Sequence, residues 1–262
     1  MSYLGKSLKT MKKIILLLLA PVLMFGCKEN SPLSDVELNN PALISPEITL
    51  TKHENELGRT NTELVVYLND KNNNSIDLLK GSVLLNDKPL GVRTEIGGAP
   101  YYSLDNIELV NKRKYVFEIS LADNKAYTCT INSPEKPIGQ FNVADYHNVG
   151  TPLVVSWDRL NANGSIYYLE IRNEDRTEEI ELSSIQTKVG SYAIPSDVLA
   201  LINNGQRGDV FITLKSVTSG KVDPRFNGGS IQIVESICKQ VTLGYEDSSM
   251  GDDIDYEVYT PK

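Results

Sequence analysis

Few side chains in this sequence are of the kinds that cleave, transfer or ligate. Among 262 residues there are 2 histidines and 3 cysteines. His53 and His147 share no HExxH-type spacing and neither sits in a nucleophile elbow, so both read as ordinary surface histidines. A Ser-His-Asp site is defined by geometry, and one assembled from distant segments stays open on sequence grounds. Cys129 alternates with Tyr127 and Ile131, which turns it toward a core. It and Cys238 fall in different strand-rich stretches, and the expectation is two buried free thiols rather than a disulfide. Asp70, Asn72, Asn74 and Asp77 (DKNNNSID) space oxygen atoms as a calcium loop does. An EF-hand needs Gly at its sixth position and an acid at its twelfth, where Ser75 and Gly81 stand. The segment therefore reads as an Asn-rich turn. With 34 acids some pair will always match a glycosidase spacing, so that signal carries nothing. No catalytic residue, metal or cofactor is expected.

The elements that would hold any site are strands. Thr62–Asn69 places Leu64, Val66 and Leu68 on one side. Tyr115, Phe117, Ile119 and Leu121 alternate, then Asp123-Asn124, then Tyr127, Cys129 and Ile131, which is a hairpin with one buried face. Shorter runs at Ile48–Lys52 and Ser82–Asn86 complete a β-rich unit over 47–135. Pro134 and Pro137 bracket a boundary. Beyond it Leu153, Val155 and Trp157 alternate, as do Tyr167, Leu169 and Ile171, then Val210, Ile212 and Leu214, then Ile231 and Ile233. This alternation makes Trp157 a core residue rather than a sugar-stacking one. One short helix is expected, with Ser196 as N-cap, Val198–Ile202 apolar and Gly205 past its end. The expected fold is all-β.

The stretch from Lys136 to Leu243 resembles a fibronectin type III or immunoglobulin-like domain, through VSW at Val155–Trp157, the pair Tyr167-Tyr168 and the run Val210–Val217. The resemblance implies two sandwiches in series, an immunoglobulin-like one over 47–135 and a fibronectin III-like one over 136–244. It also implies that the connections 158–165 (DRLNANGS) and 218–229 (TSGKVDPRFNGG) emerge at one end. Arg159, Asn161 and Asn163 would then meet Arg225 and Phe226, and arginine beside an aromatic ring is chemistry that anchors a partner. The alternative is that Phe226 folds down as a loop plug while the arginines stay solvated. Tyr101-Tyr102, close to Gly97-Gly98, is a second candidate platform.

The amino terminus says where these units work. Met11-Lys12-Lys13 opens a short positive region, Ile14–Phe25 is apolar, and Gly26 precedes Cys27. The apolar run is shorter than the ~20 residues a spanning helix needs, and has the length of a signal-peptide core. The stretch resembles a bacterial lipoprotein signal over 1–26, with Met24 and Phe25 standing where that family has Leu and a small residue. The resemblance implies lipid attachment at Cys27 and cleavage before it; an ordinary cleaved signal or an uncleaved anchor is the alternative. Lys28 in place of the inner-membrane retention Asp implies the outer membrane of a Gram-negative-type envelope, on its periplasmic or its surface face. Residues 27–46, polar and marked by Pro32, Pro41 and Pro46, read as a tether reaching ~60 Å when extended.

The net charge of −8 becomes more negative once Lys6, Lys9, Lys12 and Lys13 leave with the signal. Such a surface excludes nucleic acid as a partner and repels anionic lipid. The tail over 245–262 carries six acids, Glu246, Asp247, Asp252, Asp253, Asp255 and Glu257, and reads as solvated. Lipid, tether and stacked sandwiches together resemble cell-surface lipoproteins of glycan-capturing and adhesive systems, a likeness of layout alone. The reading is a non-catalytic, lipid-anchored envelope protein that binds a glycan or an envelope protein through sandwich loops. A structural subunit of an envelope or transport complex, and an enzyme with a cryptic glycan-active carboxylate site, are the alternatives.

Overall fold

The alternating runs form strands with the expected faces buried. The computed structural model describes residues 37–94, 96, 98–135, 138–158, 165–175, 179–182, 190–202 and 206–244. Cys27, Arg159, Asn161, Asn163, the signal segment and the acidic tail lie outside the described residues. The first half contributes β1 (Ile44–Glu54), β2 (Thr60–Asp70), β3 (Ser82–Leu85) and β4 (Lys88–Pro89). It continues with β5 (Gly91–Thr94), β6 (Pro100–Ser103), β7 (Lys114–Ser120) and β8 (Ala126–Asn132). The second half contributes β9 (Phe141–Asn142), β10 (Tyr146–Asn148), β11 (Leu153–Trp157) and β12 (Ser165–Asn173). Then come β13 (Glu179–Leu182), β14 (Ser191–Ile194), helix α1 (Ser196–Ile202), β15 (Gly208–Ser219) and β16 (Ser230–Gly244). The β7–β8 hairpin closes where Asp123-Asn124 predicts it, with Asn124 at φ 60 and its N–H donating to the Leu121 carbonyl. Among the described residues no helix is long and apolar enough to cross a membrane.

One sheet of nine strands organises the molecule, in the order β13-β12-β15-β16-β1-β2-β6-β5, with β10 also paired to β16. There are two smaller sheets, β4-β3-β7-β8 and β14-β11-β9, and the second shares a core with β12, β15 and β16 of the large one. The joint is β16, which runs ~50 Å at ~3.3 Å per residue. Along one side it pairs with β15; along the other it pairs in parallel first with β1 and then with β10. Directly opposed residues share a face. Ile48 opposes Ile231 and Leu50 opposes Ile233 in the first core, while Leu214 opposes Ile237 and Val210 opposes Val241 in the second. Both cores therefore lie on the same face of the large sheet. Trp157, Leu169, Ile171 and Ile212 fill the second core with Leu199 and Ile202 of α1. The helix covers the expected apolar run but begins at Ser196 itself, with Pro195 in the cap place accepting the Leu199 N–H; burying Leu199 and Ile202 outweighs the weak propensity of two short turns.

Short 3-10 turns at Glu37–Asn39 and Pro41–Leu43 lead into β1, whose Ile44, within the stretch read as a tether, is fully buried. Pro46 is tolerated because it precedes the first β1–β16 pair, Glu47 with Ser230. The 135/136 boundary divides the two smaller sheets, whereas the large sheet continues through both halves.

Candidate functional site

The connection between β15 and β16 carries the candidates Arg225 and Phe226, and several of its residues bond to the first core. The Lys221 N–H donates to the Thr130 carbonyl at 2.7 Å and receives the reciprocal bond at 2.8 Å. Asp223 accepts from the Thr128 N–H at 3.1 Å and from the Arg225 Nε at 2.9 Å and Nη2 at 2.7 Å. Those Arg225 bonds, against the opposing effect of burial, hold the Asp223 carboxyl well below the usual carboxylate range. The Arg225 guanidinium lies 4.4 Å from the Tyr127 ring centroid. Phe226, 6% exposed, meets the same ring with centroids 5.3 Å apart. Asn227 then donates to the Ile44 carbonyl. The structure thus brings Arg225 and Phe226 together on Tyr127, with Phe226 as the loop plug. The reason is area: an aromatic ring gains more by leaving water beside Tyr127 than by standing in an open loop.

The other candidates are also occupied locally. Asp70 accepts from the N–H groups of Asn72 at 2.7 Å and Asn74 at 2.9 Å, and from the Asn74 amide at 3.1 Å. Burial raises its carboxyl but these donors outweigh it and hold it below its ordinary value, while Asn73 at φ 65 completes the turn. Among the described residues no three His, Cys, Asp or Glu side chains gather as metal ligands do. Cys129 and Cys238 are both buried and not joined in a disulfide, and burial pushes the Cys129 thiol up. His53 Nδ1 and Ser236 Oγ are 2.8 Å apart across β1 and β16. His147 Nε2 bonds the Thr151 carbonyl at 2.8 Å. Glu170 is buried between Lys215 and Arg172; burial opposes its ionisation, but Lys215 leads the partners that hold its carboxyl below the ordinary value.

An open groove lies at a fork in the large sheet. β6 pairs with β2 at Val65–Ser103 and Val66–Tyr102 and then the chains diverge. Between them lies a cavity of about 690 Å³, walled by Thr60–Leu64 on one side and Ser103–Ile107 on the other, with Arg93 and Tyr101 beside them. Asn106, at φ 56, turns the second wall away. Arg93 Nη2 holds both Asp105 oxygens, at 2.6 and 2.7 Å. Tyr102 points inward, taking the Leu78 N–H at 2.6 Å and donating to Asp77, and burial pushes its phenol up. Tyr101 takes the opposite face and lies against Tyr67, centroids 5.9 Å apart. At the apex the Ser103 Oγ is buried and has no hydrogen-bond partner among the described residues. Of this site the sequence offers Tyr101 alone. Glu63, Asp105 and Ser103 lie 40 or so positions apart in two segments with no motif, so only the pairing of β2 with β6 unites them.

No protein-family model matches the chain, and no curated protein matches it. Among solved structures it is similar to the chicken CNTN1 FN1-FN3 domains, at 12% identity over 78% of this chain and 66% of that one, with a TM-score of 0.23. The Yersinia pseudotuberculosis adhesin InvE gives 12% identity over 83% of this chain and 62% of that one, at a TM-score of 0.23. DIP-gamma IG1+IG2 gives 13% identity over 77% and 97%, at 0.20. The chain spans less than two thirds of the length of the first two.

Proposed function

We propose that this protein is a non-catalytic binding module, anchored through lipid on Cys27 in the outer membrane of a Gram-negative-type envelope, that holds a glycan or protein ligand in the groove between Thr60–Leu64 and Ser103–Ile107. The groove carries the reading. It is large enough for a ligand by the usual 300–1,000 Å³ of binding pockets, and it collects an aromatic ring, two amides, two acids and a base. A rigid sheet holds one wall, so little order is lost when a ligand enters. The alternative loop site keeps Arg159, Asn161, Asn163 and the exposed Arg225 as candidates, with Phe226 as the loop plug.

Two experiments test the parts separately. Cys27→Ser should move the protein from the membrane pellet to the soluble fraction of lysed cells; a pellet unchanged by the substitution sinks the anchor. For the groove, Tyr101→Ala should abolish ligand capture by intact cells, with Arg225→Ala retaining it. The reverse pattern would return binding to the loop.

A further inference from the structure

We infer that the fork is a strand acceptor: it takes an extended segment of a protein partner, laid along Thr60–Leu64 and carrying a basic residue opposite Glu63. The inference rests on the groove being a binding site and names the class of ligand.

The main chain of β2 supplies the argument. One side of it is paired along its whole length, from Ile44–Asp70 to Glu54–Thr60. On the other side β6 takes Val65 and Val66, Ile76 donates to the Leu68 carbonyl at 2.6 Å, and Asn69 bridges to Ser75. Among the described residues Thr60–Leu64 has no strand partner on this side, an edge of ~17 Å at ~3.3 Å per residue. The β1 ladder already holds these five residues extended, so their outward N–H and C=O groups stand at the spacing a further strand requires. A free edge of this kind is a template for another chain. Had the β2–β6 register continued, Leu64 would oppose Leu104 and Asn61 would oppose Ile107. The chain leaves that register after Ser103, and the cavity opens where the missing partner would lie. The unpartnered Ser103 Oγ sits where that partner would begin. A glycan offers hydroxyls but no repeat that matches alternating amide and carbonyl groups; a peptide does.

Charge selects the segment. Arg93 and Asp105 neutralise each other, which leaves exposed Glu63 as the excess charge in the groove of a chain whose net charge is −8. Opposite charges facing each other across strands stabilise pairing, and like charges oppose it.

The test uses the full-length protein and three probes: seven-residue peptides alternating Thr and Val with a central Lys, the same peptides N-methylated at alternate residues, and a panel of neutral oligosaccharides. The expected result is peptide binding that slows amide hydrogen exchange at Thr60–Leu64 and weakens about tenfold or more on N-methylation, which removes backbone donors and leaves side chains intact. Glu63→Lys should weaken the Lys peptides and favour Glu-centred ones. Binding indifferent to N-methylation, or protection outside Thr60–Leu64, overturns the inference. Oligosaccharide binding lost in Tyr101→Ala, with no peptide binding, overturns the strand acceptor and leaves the groove as a ligand site. Failure of both probes overturns both.

Discussion

Glu235 shows how one buried charge marks the seam between two cores. It lies on the core-facing side of β16, between Ile233 of the first core and Ile237 of the second, and is 3% exposed. Burial pushes its carboxyl up, while opposed Lys52 and the Ile138 N–H draw it partly back. The folded state therefore holds this proton more tightly than the unfolded chain. Stability falls as pH rises from the usual glutamate value of 4.5 through the raised folded value, and stays reduced above it. Glu235→Gln keeps the shape and the acceptor for Ile138 but removes the charge. Its melting temperature should exceed the parent's at pH 8 and equal it at pH 4; melts giving the same difference at both pH values would refute this.

At the scale of elements, the β15–β16 connection acts as a clamp on β8. Asp223 is its centre, since it satisfies Thr128 as well as Arg225. Asp223→Ala leaves a buried N–H and a stacked guanidinium without their acceptor, for which we expect a loss of about 2 kcal/mol in urea unfolding. Arg225→Ala, at a side chain 57% exposed, should cost clearly less than Asp223→Ala in the same urea titration, because solvent screens its pairing. The depressed Asp223 carboxyl stabilises the fold above its usual value of 3.8, and that contribution fades as pH falls below it. Asp223→Asn should accordingly show less loss of stability on acidification than the parent. The clamp also needs Gly229, whose φ of +103 and close approach to the Pro46 backbone leave no room for a Cβ.

At the scale of the whole molecule, a strand common to both cores couples them. Neither core is complete without β16, which contributes Ile231 and Ile233 to one and Val241 and Leu243 to the other. Heating should therefore give one transition. Phe117→Ala in the first core and Leu169→Ala in the second should each lower that same transition, by about 3–5 and 2–5 kcal/mol. Differential scanning calorimetry that resolves two transitions, each answering to one substitution, would show the cores to be independent.

The sequence by itself determines the strands and their faces, because period-2 alternation is local: Phe117, Cys129, Leu169 and Ile212 are legible as core from their neighbours. Turn chemistry is equally local, as at Asn73 and Asn124. Only the tertiary structure decides that β1 pairs with β16, that Phe226 folds onto Tyr127, and that β2 outruns β6 and leaves a fork. Those are contacts between segments up to 183 residues apart, chosen by which apolar faces and unpaired edges meet once the chain collapses, and no spacing along the chain encodes that choice.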